Sequence, residues 1–148
     1  MSTQSTTPLE AAKSSRQWAR SIGALAAGFV VVLILSLGTD VLLHALKIFP
    51  PLGQPMSNPL FVLATIYRIV YAVLGSYLTA RLAPDHPMGH AMVGGLIGLL
   101  LSIVGAAATW KHTELGPHWY PLALVVTALP CAWVGGKIRH QQISNQKS

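Results

Sequence analysis

One feature constrains this chain more than any other: an apolar run long enough to cross a lipid bilayer occurs four times. The runs cover residues 21–46, 60–82, 88–110 and 120–138. About 18 or more predominantly apolar residues make a helix that spans the roughly 30 Å hydrocarbon core of a membrane. The breaks between the runs stop helices. FPPLGQPMSNP (49–59) holds four prolines, APDHP (83–87) two, and KHTELGPH (111–118) a Gly-Pro pair. Proline lacks a backbone donor and clashes with the preceding turn, so each break reads as a loop. The expectation is an all-α integral membrane bundle of four transmembrane helices with short loops.

Composition agrees. Hydrophobic residues make up 52% and charged residues 9%, against about 25% charged in a soluble domain. Too few charges exist to cover a water-facing surface, so lipid must take its place. The first run resembles a signal peptide, but it continues to Leu46 and three further runs follow, which predicts an uncleaved anchor.

The formal net charge of +6 reflects topology rather than nucleic-acid binding. Lys13, Arg16, Arg20, Arg81, Lys137, Arg139 and Lys147 all fall on one side of the four runs; Lys47 and Lys111 fall on the other. Basic residues accumulate on the cytoplasmic side of membrane proteins, so both termini are expected there. Trp18 marks that interface, and Trp110, Trp119 and Tyr120 mark the opposite one. The polar segments 1–17 and 141–148 are expected to be disordered cytoplasmic tails, flanking a membrane domain over 18–140.

Two charges lie inside the runs. Asp40 is 20 residues beyond Arg20, about 30 Å along a helix and hence near the outer boundary. Arg68 is 13 residues before Arg81, which places it about 20 Å from the inner edge. An arginine near mid-membrane costs about 2.5–3.5 kcal/mol unless paired or hydrated. Helical side chains lean toward their own N-terminus. On antiparallel neighbours, Asp40 therefore leans inward and Arg68 outward, toward each other. His44 is one turn from Asp40, and Thr65 about one turn from Arg68. The expected site is an intramembrane ion pair or polar seam of Asp40, His44, Thr65 and Arg68.

Gly94, Gly98, Ser102 and Gly105 recur at spacings of four, four and three, forming one small-residue face. Such faces let helices approach closely in lipid, within the bundle or between copies. Spans 2 and 4 each pair small residues shortly before an arginine, LGSYLTAR and VGGKIR. Pro130 is expected to kink span 4, with Cys131 as a small buried packer.

Chemistry has little to work with. The chain holds four carboxylates, Glu10, Asp40, Asp85 and Glu114, and no phosphate-binding glycine loop follows a strand. His112, Glu114 and His118 share one loop in a spacing that matches no metal motif. No catalytic residue, metal or cofactor is expected. The expected partners are the lipid bilayer and either a second copy or another membrane protein.

The segments SLGTDVLLH, FPPLGQPM, YRIVYAVLGSYLTARLAP and GPHWYPLALVVTALPCAWVGG resemble a group of small bacterial four-span membrane proteins of unassigned function. The resemblance covers residues 28–137 and implies a bacterial cytoplasmic-membrane protein without implying an activity. The leading expectation is a non-enzymatic accessory or scaffold acting through helix packing. The alternative is a small-solute or ion transporter using Asp40, His44 and Arg68.

Overall fold

The computed structural model describes residues 8–51, 53–112 and 115–146. Four helices follow one another: α1 (Pro8–Ala45), α2 (Asn58–Leu82), α3 (Pro87–Thr109) and α4 (Trp119–Asn145). Each is long and apolar enough to cross a membrane. Residues 1–7 of the expected N-terminal tail, together with Glu114 and Lys147, lie outside the described residues.

The helices start and stop where the breaks dictate. Pro59 and Pro87 occupy first turns, where a missing N–H costs nothing. Just past the end of α1 stands Lys47, whose φ of 57° is left-handed. The Ile48 N–H then bonds the Leu43 carbonyl at 3.0 Å and the Lys47 N–H bonds that of His44 at 3.0 Å. This pattern closes a helix C-terminus and usually has glycine in Lys47's place.

Two expectations are corrected. Residues 8–17 are helical, not a disordered tail, and so are residues 141–145. Pro8 leads a segment of Leu, Glu, Ala and Lys, all good helix formers after a proline start. At the other end, nothing in RHQQIS breaks α4. Helix propensity continues beyond the apolar stretch at both ends.

α2 is the hub. It packs against α1, α3 and α4, while α4 packs mainly on α2 and α3. α1 rests on α2 and has little direct contact with α3. The turn between α2 and α3 and the first turn of α3 meet the N-terminal half of α1, through Gln17 Nε2 donating to Asp85 Oδ2 at 3.4 Å and the Ser21 hydroxyl at 2.8 Å from His90 Nε2. The Tyr77 hydroxyl donates to Gln142 Oε1 at 3.0 Å, bringing the C-terminal part of α4 to the same end. This is called the turn end below; the opposite one, with the two longer connections, is the loop end.

Packing is inverted relative to a water-soluble bundle. The buried hydrophobic positions are mostly alanines (Ala24, Ala64, Ala80, Ala91, Ala106 and Ala132), with Cys131 and two phenylalanines. Large apolar side chains face outward, Val126 at 71% and Val41 at 69% exposure. Small residues at helix contacts and large ones outside suit association in lipid, where close backbone approach drives packing. Glycines sit at each crossing. A Cβ on Gly28 would overlap Thr79 Oγ1, one on Gly135 would lie 2.6 Å from the Val73 carbonyl oxygen, and one on Gly95 would overlap the Ala132 Cβ. The small pairs of LGSYLTAR and VGGKIR lie at these crossings.

Candidate functional site

The functional candidates gather at the loop-end half of the bundle, where α1 and α2 run antiparallel. Arg68 Nη2 donates to Asp40 Oδ2 at 2.7 Å, and the two side chains remain 31% and 23% exposed. The second carboxylate oxygen, Oδ1, accepts the Tyr67 hydroxyl. Asp40 thus has one partner on each oxygen, both from α2. The Arg68 guanidinium carbon lies 5.8 Å from the Tyr120 ring centroid, a cation–π contact to the first turn of α4. One turn along α2, the Tyr71 hydroxyl lies 2.8 Å from Thr39 Oγ1, and the Tyr67 and Tyr71 rings are 5.7 Å apart.

His44 and Thr65 do not join Asp40 and Arg68 in a seam. His44 Nδ1 lies 2.7 Å from the Asp40 backbone oxygen, and its ring meets Phe49 edge-on at 5.4 Å. Thr65 is buried and donates to the Phe61 carbonyl one turn back, at 2.8 Å. Both side chains satisfy their own helix instead. In their place stand Tyr67, Tyr71, Thr39 and Tyr120. A tyrosine inside an apolar run needs a partner for its hydroxyl. The pair Tyr67–Arg68 and the four-residue step to Tyr71 carried that signal in the sequence.

The small-residue face of α3 is used only in part within the bundle. Gly94 meets α1, with the Leu25 side chain 3.3 Å from an added Cβ. Gly98 and Gly105 meet nothing within 4 Å. The tight contact with α4 falls on Ala91 and Gly95, against Gly136 and Ala132. One residue along a helix is a turn of about 100°, so the face packed on α4 lies beside the predicted one and leaves Gly98 and Gly105 open.

That open face borders a cavity of about 360 Å³. Its walls are α1 (Gly28, Val32, Leu37) and α3 (Gly94, Gly98, Ser102), and its floor is α2 and α4 (Ala72, Ser76, Thr127). Because α1 and α3 barely touch, it is a groove along one flank of the bundle. A second cavity of about 490 Å³ continues toward the loop end, lined by Gly105, Thr109, His112, His118 and Tyr120. The two share Leu33, Arg68, Leu101, Ser102 and Leu124, so Arg68 stands where they meet.

The remaining candidates stay apart from this site. His118 stacks on Trp110 at 4.6 Å, with Nε2 2.9 Å from the Trp110 carbonyl oxygen. Cys131 is buried. Among the described residues no three His, Cys, Asp or Glu side chains gather as a metal site. Comparison with protein-family models, with curated proteins and with solved structures gives no match.

Proposed function

We propose that the chain is a non-enzymatic four-span protein of a bacterial cytoplasmic membrane, with both termini in the cytoplasm, acting as an accessory or scaffold through lateral packing. The groove between α1 and α3 is the working surface, and it receives a partner helix, a second copy or lipid. The observation that carries this reading is the open small-residue face: a Cβ added at Gly98 or Gly105 would meet nothing within 4 Å, whereas one at Gly28, Gly75, Gly95, Gly135 or Gly136 would collide with the neighbouring helix. In lipid, an unfilled small-residue face is where another chain packs closely. The topology rests on the basic residues. Lys13, Arg16, Arg20, Arg81, Lys137 and Arg139 lie toward the turn end, and Lys47 and Lys111 at the loop end.

The test is extraction of the full chain from its membranes in a mild detergent, followed by native mass spectrometry. The wild type carries excess mass from a partner, a copy or lipid. Gly98→Leu, whose new side chain enters open space, inserts normally and loses that mass. A bare monomer for both chains overturns the reading.

A second reading is favoured by one observation, the meeting of two cavities at Arg68. On this reading a small solute or ion passes Arg68 between the two cavities, with Asp40 holding the guanidinium. It predicts flux in proteoliposomes that Asp40→Asn abolishes while the variant stays folded.

A further inference from the structure

We infer that the turn end of the bundle binds the phosphate head of an anionic phospholipid between Arg81 of α2 and Arg139 of α4. The inference goes beyond packing in the groove and rests only on the membrane-spanning part of the proposed function. It gives a role to the arginines that close the segments LGSYLTAR and VGGKIR.

Helix direction brings the two arginines together. α2 and α4 both run from the loop end to the turn end, so they pack in parallel. They meet tightly at Gly135, where an added Cβ would lie 2.7 Å from the Tyr77 backbone nitrogen and 2.8 Å from the Ser76 Cβ. Four residues beyond Tyr77 and Gly135, about 6 Å nearer the turn end, stand Arg81 and Arg139. Residues four apart share a helix face, so both arginines leave the bundle beside the same crossing. Both address one hydroxyl there. Arg81 Nη1 donates to the Tyr77 hydroxyl at 3.4 Å, and Arg139 acts on the same group electrostatically. That hydroxyl donates onward to Gln142 Oε1.

The charge at this crossing is not balanced. Arg68 has Asp40, but neither Arg81 nor Arg139 has an ion-pair partner among the described residues. Arg139 Nε is buried and has no hydrogen-bond partner among them either. Asp85, in the turn that follows α2, accepts from Gln17 instead. Two guanidiniums facing one neutral hydroxyl repel each other. An anion between them removes that repulsion and supplies acceptors for their N–H groups.

Chemistry and position choose the anion. Arginine matches phosphate oxygens with its planar fork of donors. Basic pockets between membrane helices on the cytoplasmic side take anionic lipid head groups. Leu82 and Ile138 adjoin the two arginines in sequence and are exposed. They offer acyl chains a contact that inorganic phosphate cannot use, so the occupant is a phospholipid of the surrounding leaflet.

The experiment is native mass spectrometry of the full chain in maltoside micelles, titrated separately with dioleoyl phosphatidylglycerol, dioleoyl phosphatidylcholine and inorganic phosphate. The expected result is one equivalent of phosphatidylglycerol, held about tenfold more tightly than phosphatidylcholine or phosphate. One basic residue at a membrane surface is worth about a fivefold change in affinity for anionic lipid. Arg81→Gln and Arg139→Gln are each expected to weaken phosphatidylglycerol by about that factor and to leave phosphatidylcholine unchanged. Lys137→Gln is the control. Lys137 lies about 200° round α4 from Arg139, with Nζ 4.4 Å from the Trp133 ring centroid, and its loss is expected to change affinity by less than about twofold. Melting curves establish that each variant is folded. Arg81 is exposed, so Arg81→Gln carries the test should Arg139→Gln fail to fold. No bound phosphatidylglycerol, equal affinity for phosphatidylcholine or phosphate, unchanged affinity in Arg81→Gln, or an equal loss in Lys137→Gln overturns the inference. The lipid bound here stays on Gly98→Leu, so mass lost by that variant belongs to the groove and mass lost by the arginine variants to this site. A chain recovered outside the membrane fraction of cells refutes the proposed function instead.

Discussion

Asp40 accepts one bond on each carboxylate oxygen, from Tyr67 and from Arg68. Removing either charge leaves the other in a region where an unpaired ion is costly. Asp40→Arg and Arg68→Asp should each lower stability by about 3 kcal/mol, the low end for buried pairs, because both side chains keep some exposure. The double swap should recover more than half of that, measured as thermal unfolding in detergent. Recovery marks a pair that fixes helix register; three folded variants of wild-type stability would show that neither charge is needed. Tyr67→Phe should cost about 1.5–3 kcal/mol, the range for a hydrogen bond to a charged group. The pair was legible from the depth of Arg68 and the opposed lean of two antiparallel helices. The tyrosines around it were harder to read, because their role depends on which face of α2 meets α1. His44 and Thr65 were misplaced for a related reason. A polar side chain within reach of its own helix carbonyl binds there first.

At the scale of elements, α3 separates two kinds of glycine. Gly95 touches Ala132 so closely that a Cβ has no room, whereas Gly98 opens onto the groove. Gly95→Leu should therefore destabilise by about 1–3 kcal/mol or more through overpacking. Gly98→Leu should stay within about 0.5 kcal/mol of wild type. Melting temperatures of the two purified variants check this contrast directly. The spacing of small residues identified a close-packing helix but did not say which of its small residues pack within the bundle. Gly94 and Gly95 are equally small, and only the neighbouring helix chooses between them. At the end of α1, Lys47 holds a left-handed conformation that costs a non-glycine residue about 1–2 kcal/mol. Lys47→Gly should raise stability by about 1 kcal/mol, readable in the same melting experiment.

For the whole molecule, four apolar runs and their proline-marked breaks were enough to read four helices, because a bilayer-length run leaves few other solutions. The arrangement of those helices was not legible. That α1 leans mainly on α2 and leaves a flank open toward α3 follows from contacts between elements distant in sequence. The helical extension of α1 back to Pro8 was hidden by polar composition, which signals solvent exposure and says little about backbone shape. The central claim is that this flank is a lipid-facing groove and not a water-filled path. The most direct measurement is spin-label accessibility at position 98, in the full chain reconstituted into bilayers as Gly98→Cys in a Cys131→Ala background. The expected result is a label reached by molecular oxygen, which partitions into lipid, and shielded from a water-soluble nickel chelate. Ready access by the nickel chelate would contradict it, place water beside Arg68, and turn attention to solute passage through the two cavities that meet there.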